Sequence, residues 1–230
     1  MPTLPSFFAP SLAPAPPAGC PAASGRWPAA WARPAFRVRF GVVWLLIGGL
    51  VAAVPGFYRF VQGRTGHNLT DPLLALLPAH DVSALTFVLI YGSSLAALAF
   101  LLPRPYLLLR GLWAYLLLQV IRMGVLWLVP LEPPAGLLAL RDPFTDYVFQ
   151  AGAGAEPIVR DLFFSGHTAT LTLLVLAVRG RRWRGALAGA AVAVGLLVLV
   201  QRVHYTYDVL AAPPFAGLAY WLARWIGPKE

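Results

Sequence analysis

Two histidines and one aspartate in the C-terminal third of the chain have side chains and a spacing suited to phosphoryl chemistry. His204 and Asp208 are four residues apart, so they share one face if a helix runs through them. A carboxylate placed there keeps one imidazole nitrogen protonated and leaves the other free to attack or to accept a proton. His167 supplies a second imidazole, which could protonate the oxygen that leaves. These three residues are the predicted catalytic group.

A polar block just before His167 predicts an anion site. The block reads Asp161-Leu-Phe-Phe-Ser165-Gly166-His167-Thr168, and an apolar run follows it. Ser165 is a typical N-cap residue, so a helix should begin there with the backbone N–H groups of its first turn facing water. Those unpaired donors and the positive end of the helix dipole bind anions. We therefore expect a phosphate group to bind beside His167.

The same residues also have simpler interpretations. A histidine inside a membrane protein often does no more than form a hydrogen bond between helices. His167, His204 and Asp208 could instead bind zinc, since these are ordinary zinc ligands. Asp161 could be only a carboxylate favoured at the start of a helix. The residue types alone leave these alternatives open.

The composition shows what kind of protein must hold these groups. Apolar residues make up 59% of the chain and charged residues 12%, about half the share usual in soluble domains. Apolar runs close to the length needed to cross a bilayer recur along the sequence. The predicted fold is therefore all-α, a polytopic membrane bundle of about six transmembrane helices. The predicted spans are about Phe40–Pro55, Val82–Leu102, Tyr106–Val129, Leu162–Val178, Ala186–Val200 and Asp208–Trp225.

Two of these spans are short on apolar residues alone. The fourth and fifth are expected to reach across the membrane by recruiting the polar segments Asp161–Thr168 and Gln201–His204. That extension would place the predicted chemistry near the edge of the hydrocarbon. Residues 40–230 are predicted to form one catalytic membrane domain. Residues 1–39, rich in Pro and Ala, are predicted to be a disordered cytoplasmic tail.

The arginines predict the orientation of the chain. Twelve basic residues fall in the tail, in two loops and at the C-terminal end on one side, against five on the other side. Positively charged residues concentrate on the cytoplasmic side, so both termini are predicted to be cytoplasmic and the histidines to face away from the cytoplasm. The net charge of +9 arises from this pattern, and no soluble basic module suggests a nucleic-acid partner. Cys20, the single cysteine, forms no disulfide within the chain.

The two polar blocks resemble the signatures of a known family. Asp161-Leu-Phe-Phe-Ser-Gly-His-Thr168 and His204-Tyr-Thr-Tyr-Asp208-Val are similar to the two signature blocks of sphingomyelin synthases. Those enzymes are a branch of the type 2 phosphatidic acid phosphatase superfamily. The resemblance runs from about the first span to the C-terminus and is strongest over residues 161–210. Six spans with both termini inside would also match that family.

The resemblance implies a role for each site residue. It implies that His204 is a nucleophile that forms a phosphohistidine, that Asp208 orients it, and that His167 is the acid and base for the alcohol oxygens. Asp161, Ser165 and Gly166 fall in the block expected to contact substrate. Arg122, in the third span, resembles an arginine that the family keeps there, although a charge that snorkels or fixes topology would explain it as well.

The chain also departs from the wider superfamily. The superfamily has a Lys…Arg-Pro block for phosphate, whereas the only lysine here is Lys229. An arginine expected five or six residues before the second histidine is missing, and Arg202 is the nearest basic side chain. These two departures favour the synthase-like branch over a standard lipid phosphatase. Pro213 and Pro214, which are expected to interrupt the last span, are instead a departure from sphingomyelin synthases themselves.

Together these features predict a multi-pass inner or plasma membrane enzyme that moves or removes a phosphate-containing lipid head group. The expected partner is a phospholipid or sphingolipid, and no metal or other cofactor is expected. Transfer and hydrolysis share the same histidine intermediate, so the sequence does not distinguish them. The alternative is a non-catalytic lipid-binding or transport protein that keeps the anion site. The sequence does not define the oligomeric state.

Overall fold

The fold is all-helical over the residues that the structure describes. The structure, a computed structural model, describes residues 27–140 and 158–226. No β-strand forms within these ranges, and only an isolated bridge pairs His67 with Leu131. The helices are α1 (Trp27–Trp31), α2 (Pro34–Gln62), α3 (Pro72–Leu76), α4 (Ser83–Leu101), α5 (Pro105–Leu128), α6 (Gly166–Ala177), α7 (Arg181–Val200) and α8 (Thr206–Ile226).

Four of the described helices are long and apolar enough to cross a bilayer: α2, α4, α5 and α7. Many large apolar side chains on them point outward, among them Leu45, Val88 and Leu128, each more than 60% exposed. Water would not favour such a surface, whereas lipid would. These helices indicate an integral membrane protein. The six-span count stays a prediction, because it also requires α6 and α8.

Short turns connect neighbouring helices in opposite directions. Residues 102–104 join α4 to α5, and residues 178–180 join α6 to α7. We call the end of the bundle with these two turns the arginine end, because Arg104, Arg181 and Arg184 lie there. The opposite end, where α6 and α8 begin, is the histidine end. Each described acidic residue belongs to the histidine end.

Among the described helices, α5 and α8 make the most extensive contact. Ala212, Ala216, Ala219 and Ala223 recur at helical spacing along α8 and are fully buried in one cluster with α5 side chains such as Trp113 and Leu116. Small residues let two helix backbones approach closely, which stabilises membrane bundles. The expectation that Pro213 and Pro214 interrupt this helix is wrong, because α8 runs through both. Neighbouring helices stabilise such a helix where the prolines remove its hydrogen bonds.

The structure corrects part of the predicted tail. Residues 27–39, predicted to be disordered, include α1 and the first turns of α2. Aromatic packing explains the difference: Trp27 and Trp31 contact Phe36 edge-on, and Phe36 contacts Tyr106 of α5 at 5.4 Å between ring centroids. Trp27 also donates a 2.8 Å hydrogen bond to the carbonyl of Leu102. Residues 1–26 of the predicted tail lie outside the described residues.

The fourth and fifth spans also end differently from the prediction. Helix α6 begins only at Gly166, so Asp161–Ser165 does not extend it. Helix α7 ends at Val200, and residues 201–204 form a turn. The 12 residues of α6 span about 18 Å, well short of a hydrocarbon core of about 30 Å. Of the segments expected to lengthen these helices, Gly166–Thr168 does begin α6, whereas Asp161–Ser165 and Gln201–His204 form loops beside the candidate site.

Candidate functional site

His204 lies in the turn before α8, not on that helix. The condition for a shared helical face, one helix running through both His204 and Asp208, is not met, because α8 begins at Thr206. The contact nevertheless forms: Nδ1 of His204 lies 3.5 Å from Oδ2 of Asp208. That distance is longer than a well-formed charge-assisted hydrogen bond. Both side chains are buried, and Asp208 is fully so.

The first turn of α8 fixes the position of Asp208. Its Oδ2 accepts a 2.9 Å hydrogen bond from the backbone N–H of Tyr205, while its Oδ1 is buried without a hydrogen-bond partner. A carboxylate at the third helical position that reaches back to the N-cap N–H is one half of a capping box. The same oxygen therefore caps α8 and faces His204. Nδ1 of His204 is buried without a hydrogen bond, and a proton held on it by the nearby carboxylate would leave Nε2 free to react.

Ser165 joins the two polar blocks. It is the N-cap of α6, as predicted, with its Oγ accepting from the N–H of Thr168 at 3.5 Å. Its own N–H donates to the backbone carbonyl of Asp208 at 3.1 Å. The start of α6 is thereby held against the start of α8. His167, in the first turn of α6, lies with its ring centroid 6.4 Å from that of His204.

Arg122 forms a buried ion pair with Asp161. Its Nη2 lies 2.6 Å from Oδ1 of Asp161 and 3.3 Å from the backbone carbonyl of the same residue. The arginine side chain is 5% exposed and that of Asp161 is 27% exposed. Nη1 of Arg122 is buried without a hydrogen-bond partner. A buried charge with an unused donor is costly, so such groups commonly mark functional sites.

The guanidinium of Arg122 packs directly on the start of α6. A β-carbon added to Gly166 would lie 2.9 Å from Cζ of Arg122 and 3.1 Å from its Nε. Only glycine leaves room for this approach, because real β-carbon contacts are longer. The guanidinium therefore lies beside the N-terminal end of α6. A cation and a helix N-terminus at one point form a site for an anion.

Two side chains around Asp161 were not predicted from the sequence. Tyr58, near the end of α2, donates a hydrogen bond to Oδ2 of Asp161 at 3.2 Å. The ring of Phe164 lies 5.6 Å from Cζ of Arg122. Tyr58 in sequence looks like any aromatic residue near the end of a span, so nothing distinguished it. Its contact connects α2 to the site.

Arg202 does not take the place of the missing family arginine. Its Nη1 donates to the carbonyl of Ala135 at 3.0 Å and its Nη2 to that of Leu77 at 3.1 Å. It therefore ties two loops together. Lys229 lies outside the described residues. Within residues 27–140 and 158–226, no three histidine, cysteine, aspartate or glutamate side chains gather in a group that could hold a metal ion.

Four of the predicted site residues form two pairs at the histidine end, His204 with Asp208 and Arg122 with Asp161. Residues 160–225, which contain both polar blocks and helices α6 to α8, match the family model described as PAP2 superfamily C-terminal. The match supports the PAP2 superfamily. This is the type 2 phosphatidic acid phosphatase superfamily of the sequence resemblance, so that part of the prediction is supported. The match does not support the finer assignment to the sphingomyelin synthase-like branch. No curated protein matches the chain.

Members of the PAP2 superfamily are generally phosphatases or phosphotransferases, which supports an enzyme. Of the predicted site, only Arg122 lies outside the matched residues. Its contact with Gly166 and Asp161, both inside the match, connects α5 to this part of the chain.

Proposed function

We propose that the protein is a lipid phosphotransferase or phosphatase that acts through a phosphohistidine on His204. The observation that carries this proposal is the contact of the Arg122 guanidinium with Gly166 at the start of α6, one residue before His167. A phosphate bound there would meet the unused Nη1 donor of Arg122 and the N–H groups of α6. His167 directly follows Gly166, and its ring centroid lies 6.4 Å from that of His204.

In the first half of the reaction, Nε2 of His204 attacks the phosphorus of the lipid phosphate. An N–P bond forms as the bond between phosphorus and the leaving alcohol oxygen breaks. His167 donates a proton to that oxygen, so a neutral alcohol departs. Asp208 stabilises the positive charge that develops on the His204 ring, because its Oδ2 lies 3.5 Å from Nδ1.

In the second half, an acceptor hydroxyl attacks the phosphohistidine. His167, now neutral, removes the proton from the acceptor while the N–P bond breaks and the electron pair returns to Nε2 of His204. Water as the acceptor gives hydrolysis, and a lipid alcohol gives transfer. The resemblance of both blocks to sphingomyelin synthases favours transfer of a head group with its phosphate to a lipid alcohol.

A direct test is to give the purified protein phospholipid labelled with ³²P in mixed micelles, with and without ceramide or diacylglycerol. Label in a new lipid only when the alcohol is present supports transfer, and label in a water-soluble product without it supports hydrolysis. Binding of the phospholipid with no labelled product would contradict the enzyme and favour the lipid-binding or transport alternative.

The proposed mechanism uses only side chains and backbone donors, so we expect activity to survive metal removal. Treatment with EDTA followed by desalting should leave the initial rate within about twofold of the untreated rate. A loss that added Zn²⁺ or Mg²⁺ restores would contradict this mechanism and favour a metal-assisted one.

We also propose that the histidine end faces away from the cytoplasm, so that substrate enters from the outer leaflet. Arg104, Arg181 and Arg184 at the opposite end support this orientation by the positive-inside rule. Single cysteines can be placed at the exposed positions Ala79, at the histidine end, and Gly185, at the arginine end, in a Cys20→Ser background. On intact cells, an impermeant thiol reagent should label Ala79→Cys and spare Gly185→Cys. The opposite pattern would overturn the orientation.

A further inference from the structure

Asp71, in the loop between α2 and α4, connects two helix starts. Its Oδ1 accepts a 3.0 Å hydrogen bond from the N–H of Leu74, which caps α3. Its Oδ2 accepts from the N–H of Thr206 at 2.6 Å, and Oδ1 also accepts from Oγ1 of Thr206 at 3.1 Å. Thr206 is the first residue of α8. One carboxylate therefore caps a helix in its own loop and a second helix 135 residues away.

Helix α8 needs a cap from elsewhere because its own N-cap position carries a tyrosine. The side chain of an N-cap residue usually accepts from the first-turn N–H groups, and tyrosine is too long to do so. The Tyr205 hydroxyl instead donates to the carbonyl of Glu132 at 3.0 Å. Asp208 supplies one half of a capping box through the Tyr205 N–H. The carboxylate of Asp71 supplies an acceptor for the following N–H.

The turn capped in this way is the one that aligns the proposed catalytic pair. Asp208 lies two residues after Thr206, and its Oδ2 faces both the Tyr205 N–H and Nδ1 of His204. A change in the first turn of α8 therefore moves the carboxylate relative to the imidazole. The His204–Asp208 contact is sensitive to such a change, because Nδ1 and Oδ2 are already 3.5 Å apart and a small further separation would break the contact.

We propose that Asp71 is a positioning residue: by capping α8 at Thr206, it holds Asp208 in register with His204. The inference rests on the proposed function for its kinetic part, since it assigns Asp71 to the same reaction. Its structural part concerns only the first turn of α8. Asp71 is ionised at neutral pH, because the hydrogen bonds from Leu74 and Thr206 outweigh the effect of burial and lower the pKa of its carboxyl.

The chain offers a matched control in Asp81. It too is a loop aspartate at the histidine end that caps a helix start, accepting from the N–H of Ser83 at 3.0 Å and from its Oγ at 2.6 Å. The helix it stabilises is α4, and its other partner is Gln201 at 3.3 Å. These hydrogen bonds of Asp81 join it to α4 and to the turn after α7, not to α8. Gln201, in the turn before His204, also bonds the N–H of Val82 and Oγ of Ser83, so Asp81→Ala removes a comparable cap while Gln201 keeps two partners and Thr206 keeps its cap.

The test compares Asp71→Ala, Asp71→Asn and Asp81→Ala in the full-length protein, with ³²P-labelled phospholipid in mixed micelles as substrate. We expect Asp71→Ala to lower kcat by about 10- to 100-fold with KM within about threefold, because a small misplacement of catalytic groups slows the chemistry more than binding. Asn keeps one acceptor oxygen and is a good cap, so Asp71→Asn should recover part of the loss. Asp81→Ala should keep kcat within about threefold, even if it lowers the melting temperature.

Hydrogen exchange on the same proteins tests the structural part without any activity. Amides of residues 204–208 should exchange faster in Asp71→Ala than in the wild type, and at the wild-type rate in Asp81→Ala. Equal exchange rates in the wild type, Asp71→Ala and Asp81→Ala would overturn the proposal. Equal losses of kcat in Asp71→Ala and Asp81→Ala would also overturn it. If Asp71→Ala does not fold, Asp71→Asn is measured in its place. Wild-type kcat together with wild-type exchange rates in Asp71→Asn would then contradict the proposal. A wild-type protein that turns over no lipid would contradict the proposed function, while the exchange result would still decide on Asp71.

Discussion

Replacing His204 with alanine should reduce lipid turnover by a factor of about 10³ or more, because no other group in the site can take over the attack on phosphorus. His167→Ala should lower kcat by about 10²- to 10⁴-fold, the range expected for loss of a general acid and base. Initial rates on labelled phospholipid, measured under saturating substrate, would show both effects. Each loss should appear mainly in kcat, since neither ring is the proposed phosphate anchor.

His80→Ala is the matched control for these variants. His80 is exposed at the same end of the bundle, and its backbone N–H, not its ring, makes the contact with Val200. It should keep turnover within about twofold and elute from size exclusion like the wild type, as should both site variants. If His204→Ala kept more than a tenth of the wild-type rate, the assignment of the nucleophile would be wrong.

Arg122→Ala is expected to have the second largest effect, lowering kcat/KM by about 10²- to 10³-fold. The variant removes the proposed phosphate anchor and its charge-assisted hydrogen bonds, which are the strong ones in such sites. It also leaves Asp161 with the Tyr58 hydrogen bond but without its ion-pair partner, which destabilises the protein by less than the roughly 3–5 kcal/mol typical of broken buried pairs, since Asp161 is 27% exposed. Arg122→Lys should recover only part of the activity, because an ammonium cannot reproduce the planar guanidinium.

Three further variants separate the anchor from the ion pair. Asp161→Asn disrupts the ion pair but keeps the guanidinium. It should be destabilised about as much as Arg122→Ala, and its loss of activity should be clearly smaller. Gly166→Ala keeps every charge but pushes a β-carbon to within 2.9 Å of Cζ of Arg122, so it should impair kcat/KM by about tenfold or more. Gly124→Ala, at a helical glycine with open space around it, should be silent. Wild-type kcat/KM in both Arg122→Ala and Gly166→Ala would contradict the phosphate anchor.

Residue type and spacing grouped His204, Asp208 and Ser165, and the fold brings these three residues together, while their roles in catalysis and binding stay predictions. The grouping did not depend on the precise end of a helix, because it used only the chemistry of the side chains. The N-cap role of Ser165 is confirmed. A helix through His204 and Asp208 was only one way to bring them together, and here the turn before α8 does so without a helix.

The errors in the bounds share a physical cause. Apolar composition predicts which segments are stable in lipid. Hydrogen bonds and packing, however, determine the residue at which a helix begins. Aromatic contacts with Tyr106 stabilise helical structure ahead of the predicted first span. Contacts between segments distant in sequence could not be predicted for the same reason. Nothing in the local sequence of Tyr58 or Asp71 indicates that they contact Asp161 and Thr206, because those contacts exist only in the folded bundle.

The central claim, a phosphohistidine on His204, is tested most directly by trapping the intermediate. Purified protein is mixed with a slight excess of ³²P-labelled phospholipid, quenched in alkali within the first turnover, digested and mapped by mass spectrometry. Phosphohistidine is stable to alkali and labile to acid, so the label should survive the quench, be lost in acid, and reside on the peptide that contains His204. It should be missing from His204→Ala. Product formed within the first turnover without label on His204, or with label on another residue, would contradict the account.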